Sequence, residues 1–194
     1  MVAACGGGEM SLPDYVERLN AIVDGASQQY EALTATQQGA VLVAEGTQLN
    51  DFTPQDLQAA FEEMKEIEIE VRDATVAIEP PAQIADLHNL FFDFDDESFT
   101  SAQDVLATRA GTAADWEELS ETPEMAAYRV ALAEDKQRCT DFEAALDATA
   151  ERLVFGETPW IPGELKEFVD AVIGCAGYPE NPEDVYRPLP TSTP

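Results

Sequence analysis

The sequence predicts an all-α fold: a four-helix bundle of long antiparallel helices, with a short fifth helix and a disordered C-terminal tail. Three observations point there. Apolar residues recur at three- and four-residue spacing through four long stretches, which lines one face of a helix each time. A hydroxyl residue with a proline and a carboxylate close behind opens three of those stretches, the pattern of a capped helix start. No stretch carries the alternation of a half-buried strand. The chain has 194 residues, enough for one domain with a sizeable core.

Residues 1–10 show no helical pattern and read as residual leader and flexible tether, with residues 11–175 as the bundle and 176–194 as a Pro-rich mobile tail. Helix 1 starts at Ser11, with Pro13 in the first turn and Asp14 at the third position. Val16, Leu19, Val23, Ala26, Tyr30 and Leu33 form its stripe. It either frays near Gly39 or runs on through Val41, Leu42 and Val43. Helix 2 starts at Thr53-Pro54-Gln55-Asp56 and buries Leu57, Ala60, Met64, Ile67, Val71, Ala74 and Ile78. Glu62, Glu63, Glu66 and Glu70 lie opposite, and Pro80-Pro81 marks its end, because a residue before proline is pushed out of the α region.

Helix 3 is expected from Ala82 to Ala110, with Ile84, Leu87, Phe91, Phe94, Ala102 and Val105 inward and Gly111 closing it. A short acidic turn over 112–121 holds Trp116. Helix 4 opens at Thr122-Pro123-Glu124 and carries Met125, Tyr128, Leu132, Cys139, Phe142, Leu146 and Leu153, with Gly156 as its cap. Helix 5 covers about Gly163 to Ile173.

Charge narrows the class of partner. Ten Lys and Arg face 39 Asp and Glu, a net charge of -29. Such a surface repels phosphate backbones and anionic lipid, so no nucleic acid is expected and the body does not lie flat on a membrane. Carboxylates spread along the chain read first as a solubility device and second as a diffuse sink for divalent cations.

The run Val2-Ala3-Ala4-Cys5, followed by Gly6-Gly7-Gly8, resembles the lipobox and tether of bacterial membrane lipoproteins. Pro80-Pro81 with Leu87-His88 further along is similar to a pattern in helical lipoproteins of bacteria. The resemblance implies a diacylglyceryl group (labelled by palmitate) on Cys5, a body held outside the membrane through that anchor, and no known activity. Two acyl chains suffice for stable anchoring. A lipobox ends an apolar signal, and almost nothing precedes Cys5 here, so the expectation is a true initiator upstream. Otherwise Cys5 is an ordinary cysteine on a floppy terminus. Export would also account for the odd count of three cysteines: with Cys5 lipidated, Cys139 and Cys175 are left to pair as a disulfide. In a reducing compartment both would be buried thiols.

Other candidate chemistry reads as structure. His88 is the sole histidine, and no oriented partner can be named for it, so a packed or hydrogen-bonded role is expected. Asp93-Phe94-Asp95-Asp96-Glu97 suggests a calcium loop, but Ser98 stands where glycine is needed and Asp104 where a bidentate glutamate is preferred. It reads as a solvated acidic face. Neither a Ser-His-Asp set nor a phosphate loop can be assembled. Trp116 and Trp160 lie outside the main apolar stripes; Trp160, between Pro159 and Pro162, is expected to pack against a bundle end, with a contact surface as the alternative. The function expected is therefore a non-catalytic binding or interaction module, without cofactor, in the cell envelope and facing outward. The alternative is a soluble acidic bundle binding divalent metal ions through carboxylates of neighbouring helices.

Overall fold

The structure, a computed structural model, describes residues 10–44, 46–92, 97–151, 158, 161–166 and 181–187. The fold is all-α, and no strand occurs among the described residues. The described residues include the α-helices α1 (Leu12–Thr34), α2 (Pro54–Val76), α3 (Ala85–Phe92), α4 (Glu97–Ala110), α5 (Trp116–Ser120) and α6 (Pro123–Glu151). Short 3-10 turns cover Gly39–Val43, Gly46–Asp51, Ala82–Ile84 and Pro182–Asp184, and residues 161–166 are helical.

Helix starts follow local chemistry. Ser11 Oγ accepts the Asp14 amide at 3.2 Å, and Pro13 sits where its missing N–H costs nothing. Thr53 and Asp56 form a full capping box: the Asp56 amide donates to Thr53 Oγ1 at 3.3 Å and the Thr53 amide to Asp56 Oδ2 at 2.7 Å. Asp115 caps α5 through the Glu118 amide at 2.8 Å. Thr122 Oγ1 accepts the Met125 amide at the head of α6.

Helix ends depend on close approach. α1 stops at Thr34 and does not run on to Val43; Gly39–Val43 is a separate turn. A Cβ at Gly39 would lie 2.0 Å from Leu33 O, so only glycine lets the chain fold back over the helix end there. α2 ends at Val76, before the Pro80-Pro81 pair expected to stop it. Gly111 closes α4 as expected, and a Cβ there would meet the Gln58 side chain at 2.1 Å.

Two expectations need correction. The stretch 82–110 begins as a 3-10 turn, and its phase does not carry through. Ile84 and Leu87 are buried as expected, but in α4 the inward residues are Gln103, Leu106, Ala107 and Ala110. Val105 is 49% exposed. The face of α4 is set by its packing between α2 and α6, not by extrapolating a period from Ile84. The tail is the second correction: residues 181–187 are packed against α6, with Tyr186 buried, because its ring completes an aromatic cluster.

Among the described residues, three apolar clusters make the core. The first joins Leu57, Phe61, Leu106, Trp116, Leu119, Met125, Tyr128, Leu132 and Tyr186. The second joins Leu12, Val16, Leu19, Ile84, Leu87, Phe142, Leu146, Ile161 and Leu165. A smaller third, Ala26, Leu33, Ile67 and Val71, lies between α1 and α2. α6 has 29 residues, about 43 Å at the standard rise, and supplies both larger clusters from its two ends. Residues 161–166 are pinned to α1 by Asn20 Nδ2 donating to Glu164, and to α6 by Lys166 with Glu143.

Candidate functional site

Two places combine buried polar chemistry with residues from distant parts of the chain. The first is the sole histidine. His88, on α3, is 5% exposed, and its Nδ1 is 2.7 Å from the Tyr15 hydroxyl of α1. The rings meet edge to face at 5.7 Å. Burial lowers the imidazole pKa and raises that of the Tyr15 phenol. A neutral imidazole accepting the phenol proton fits both shifts. His88 is thus committed to a structural contact, as its sequence context suggests.

The second is an aromatic cluster that residues 181–187 complete. The Tyr186 ring lies 5.9 Å from Trp116 at an interplanar angle of 18°, 6.2 Å from Phe61 edge-on, and 6.4 Å from Tyr128. Phe99 of α4 meets the Tyr128 ring at 5.8 Å. The Trp116 indole N–H donates to Phe52 O at 2.8 Å, which fixes the plane that Tyr186 stacks on. At the rim, Arg129 of α6 donates from Nη2 and Nε to Val185 O at 2.7 and 3.1 Å, and from Nη1 to Ser120 O at 3.2 Å. Burial lowers the pKa of this guanidinium and Arg187 adds to the shift, while Asp184 and Glu183 oppose it. Tyr186 adopts φ 51°, a conformation a bulky side chain holds only when its surroundings impose it.

Sequence reasoning leaves Trp116 outside the apolar stripes, and it misses Arg129 and Tyr186. The available signal is a lone arginine directly after Tyr128 on the apolar edge of α6, and a tyrosine inside a Pro-rich stretch. It also misses the buried polar groups of Asp135 and Gln103. Asp135 is 5% exposed and lies 3.7 Å from Arg138. Gln103 is 2% exposed, and both its amide atoms lack a hydrogen-bond partner among the described residues.

Cys139 is buried on α6, 4% exposed, whereas Cys5 and Cys175 lie outside the described residues. So do Asp93 to Asp96, Leu153, Gly156 and Trp160. No group of three or more His, Cys, Asp or Glu that could hold a metal ion occurs among the described residues. No helix among them is long and apolar enough to cross a membrane. No protein-family model, curated protein or solved structure matches this chain.

Proposed function

We propose that the chain is a lipid-anchored, outward-facing envelope protein whose helical body binds a partner and does not catalyse. The observation that carries this reading is the run Val2-Ala3-Ala4-Cys5 with its glycine tether. Two features of the body support it. The sole histidine is buried against Tyr15, where it is not presented to a substrate. Aromatic side chains and an arginine, the residue types that dominate protein-protein recognition, converge at one end of α6.

The body is proposed to be a four-helix bundle with antiparallel neighbours. Supporting this, Gln55 near the start of α2 reaches Ala110 O and Ala113 O at the end of α4, while Lys65, further along α2, pairs with Asp104, earlier in α4. Cys139 is proposed to pair with Cys175. Supporting this, Cys139 is buried on α6. The bridge would close a loop of about 35 residues, contributing on the order of 3 to 4 kcal/mol in the chain-entropy treatment.

Metabolic labelling with palmitate in a bacterial host, with the natural upstream sequence, tests the anchor. Label that disappears in Cys5→Ala is expected, and an unlabelled product overturns the reading. Alkylation of denatured, unreduced protein tests the bridge, and two reactive thiols besides Cys5 would end it.

A further inference from the structure

The way residues 181–187 are held differs from the way the helices are held. Their own main chain closes on itself: the Asp184 amide donates to Asn181 O, the Val185 amide to Pro182 O and the Arg187 amide to Asp184 O. Arg187 Nη1 returns to the Asp184 carboxylate. Among the described residues, hydrogen bonding to the rest of the chain runs through Val185 O alone, gripped by Arg129. Beyond that grip, one ring inserts among Phe61, Trp116 and Tyr128. A self-contained turn, one aromatic anchor and one carbonyl held by an arginine are the features of a bound peptide, not of an integral helix.

We propose that Phe61, Trp116, Tyr128 and Arg129 form a peptide-recognition groove that the chain's own residues 181–187 occupy as a resident ligand. The partner that fits it presents an acidic turn, a free main-chain carbonyl and then an aromatic residue, the order seen in Glu183-Asp184-Val185-Tyr186. Arg129 at the rim holds Val185 O, and of the segment's own charges Arg187 acts against that guanidinium while Asp184 and Glu183 act in its favour. The left-handed backbone of Tyr186 is imposed by the groove, so the segment keeps this shape only while seated. A tethered occupant competes at an effective concentration on the order of millimolar, so an outside peptide enters the intact protein poorly and enters a variant with the anchor removed readily. The proposal does not depend on the anchor at Cys5.

The test uses the full chain carrying Tyr186→Ala and a fluorescein-labelled synthetic peptide of residues 181–187. Anisotropy is expected to show saturable binding to the variant and at least tenfold weaker binding to the unaltered protein. Adding Arg129→Met to the variant is expected to weaken binding tenfold or more, and a peptide with alanine at position 186 is expected not to bind. No binding to a folded variant, or equal binding of both peptides or both proteins, overturns the proposal. A concentration-dependent dimer of the unaltered chain, with no peptide bound by the variant, would assign the groove to a second copy and also overturn it. Hydrogen exchange on the unaltered protein decides the matter if the variant does not fold. The amides of 184–187 are expected to exchange together and at least a hundredfold faster than those of 125–132. Exchange at the rate of those α6 amides would make the segment an inseparable part of the core.

Discussion

The two larger clusters of the core are built differently, although α6 supplies both. The second is mostly aliphatic and is closed by residues 161–166, whose Ile161 is fully buried and Leu165 nearly so. Its buried Tyr15–His88 contact is satisfied internally. The first gathers four buried rings, Phe61, Trp116, Tyr128 and Tyr186, among its aliphatic members, and residues 181–187 close it through the Tyr186 ring and through Val185 O, which Arg129 holds. Aliphatic surfaces are held by area and shape, whereas rings add preferred geometry and a polar handle. The aliphatic cluster therefore reads as scaffold, and the aromatic one as the place where one occupant can be exchanged for another.

Truncation at each cluster should break this contrast most strongly. Trp116→Ala is expected to cost about 3 to 5 kcal/mol, and Ile161→Ala about 2 to 5 kcal/mol, by chemical denaturation followed by circular dichroism. In the Ile161 variant a single shared transition is expected, since α6 couples both ends. Two separated transitions would mean that the clusters fold independently.

Gln103 sharpens the comparison from within the helix that packs on α2 and α6. Its amide is buried without a partner among the described residues. Gln103→Met preserves length and removes the unpaired groups, and is expected to stabilise the protein by about 1 to 3 kcal/mol. Destabilisation would show that the amide is satisfied in solution.

His88 gives the aliphatic cluster a pH signature. Its folded pKa lies below the ordinary value of about 6.5, so the unfolded chain takes up the proton first as pH falls. Stability attributable to His88 is complete above the unfolded pKa, and declines as pH drops below it toward the folded pKa. Between pH 7 and pH 5, the melting temperature is expected to fall more steeply in the unaltered protein than in His88→Gln. Parallel curves would show that the imidazole titrates normally. The smallest effect is expected at the surface. Lys65 and Asp104 are 38% and 48% exposed, so Lys65→Met should change stability by less than about 1 kcal/mol, and less still in high salt. A larger loss would place the α2–α4 contact under electrostatic control.

Much of the local architecture was legible beforehand. Ser11, Thr53 and Thr122 announce their helices, because a cap is satisfied within three residues of itself. The stripes of α1, α2 and α6 largely hold, with Thr75 taking an inward place where Ala74 was expected. The phase of α4 was not legible, because a period read across an acidic interruption has no local anchor on its far side. His88 was placed correctly as a packed residue, but its partner was not nameable.

By itself, then, the sequence determined that the chain is helical, where its helices begin, and that its surface is strongly acidic. Those properties depend on neighbours within about four residues or on composition alone. Only the tertiary structure decided that Tyr15 meets His88 across 73 residues and that Arg129 grips Val185 across 56. The stacking of Tyr186 on Trp116 was decided in the same way. Such contacts form when helices pack, and nothing in the spacing of one segment records which distant segment will fill the gap left between them.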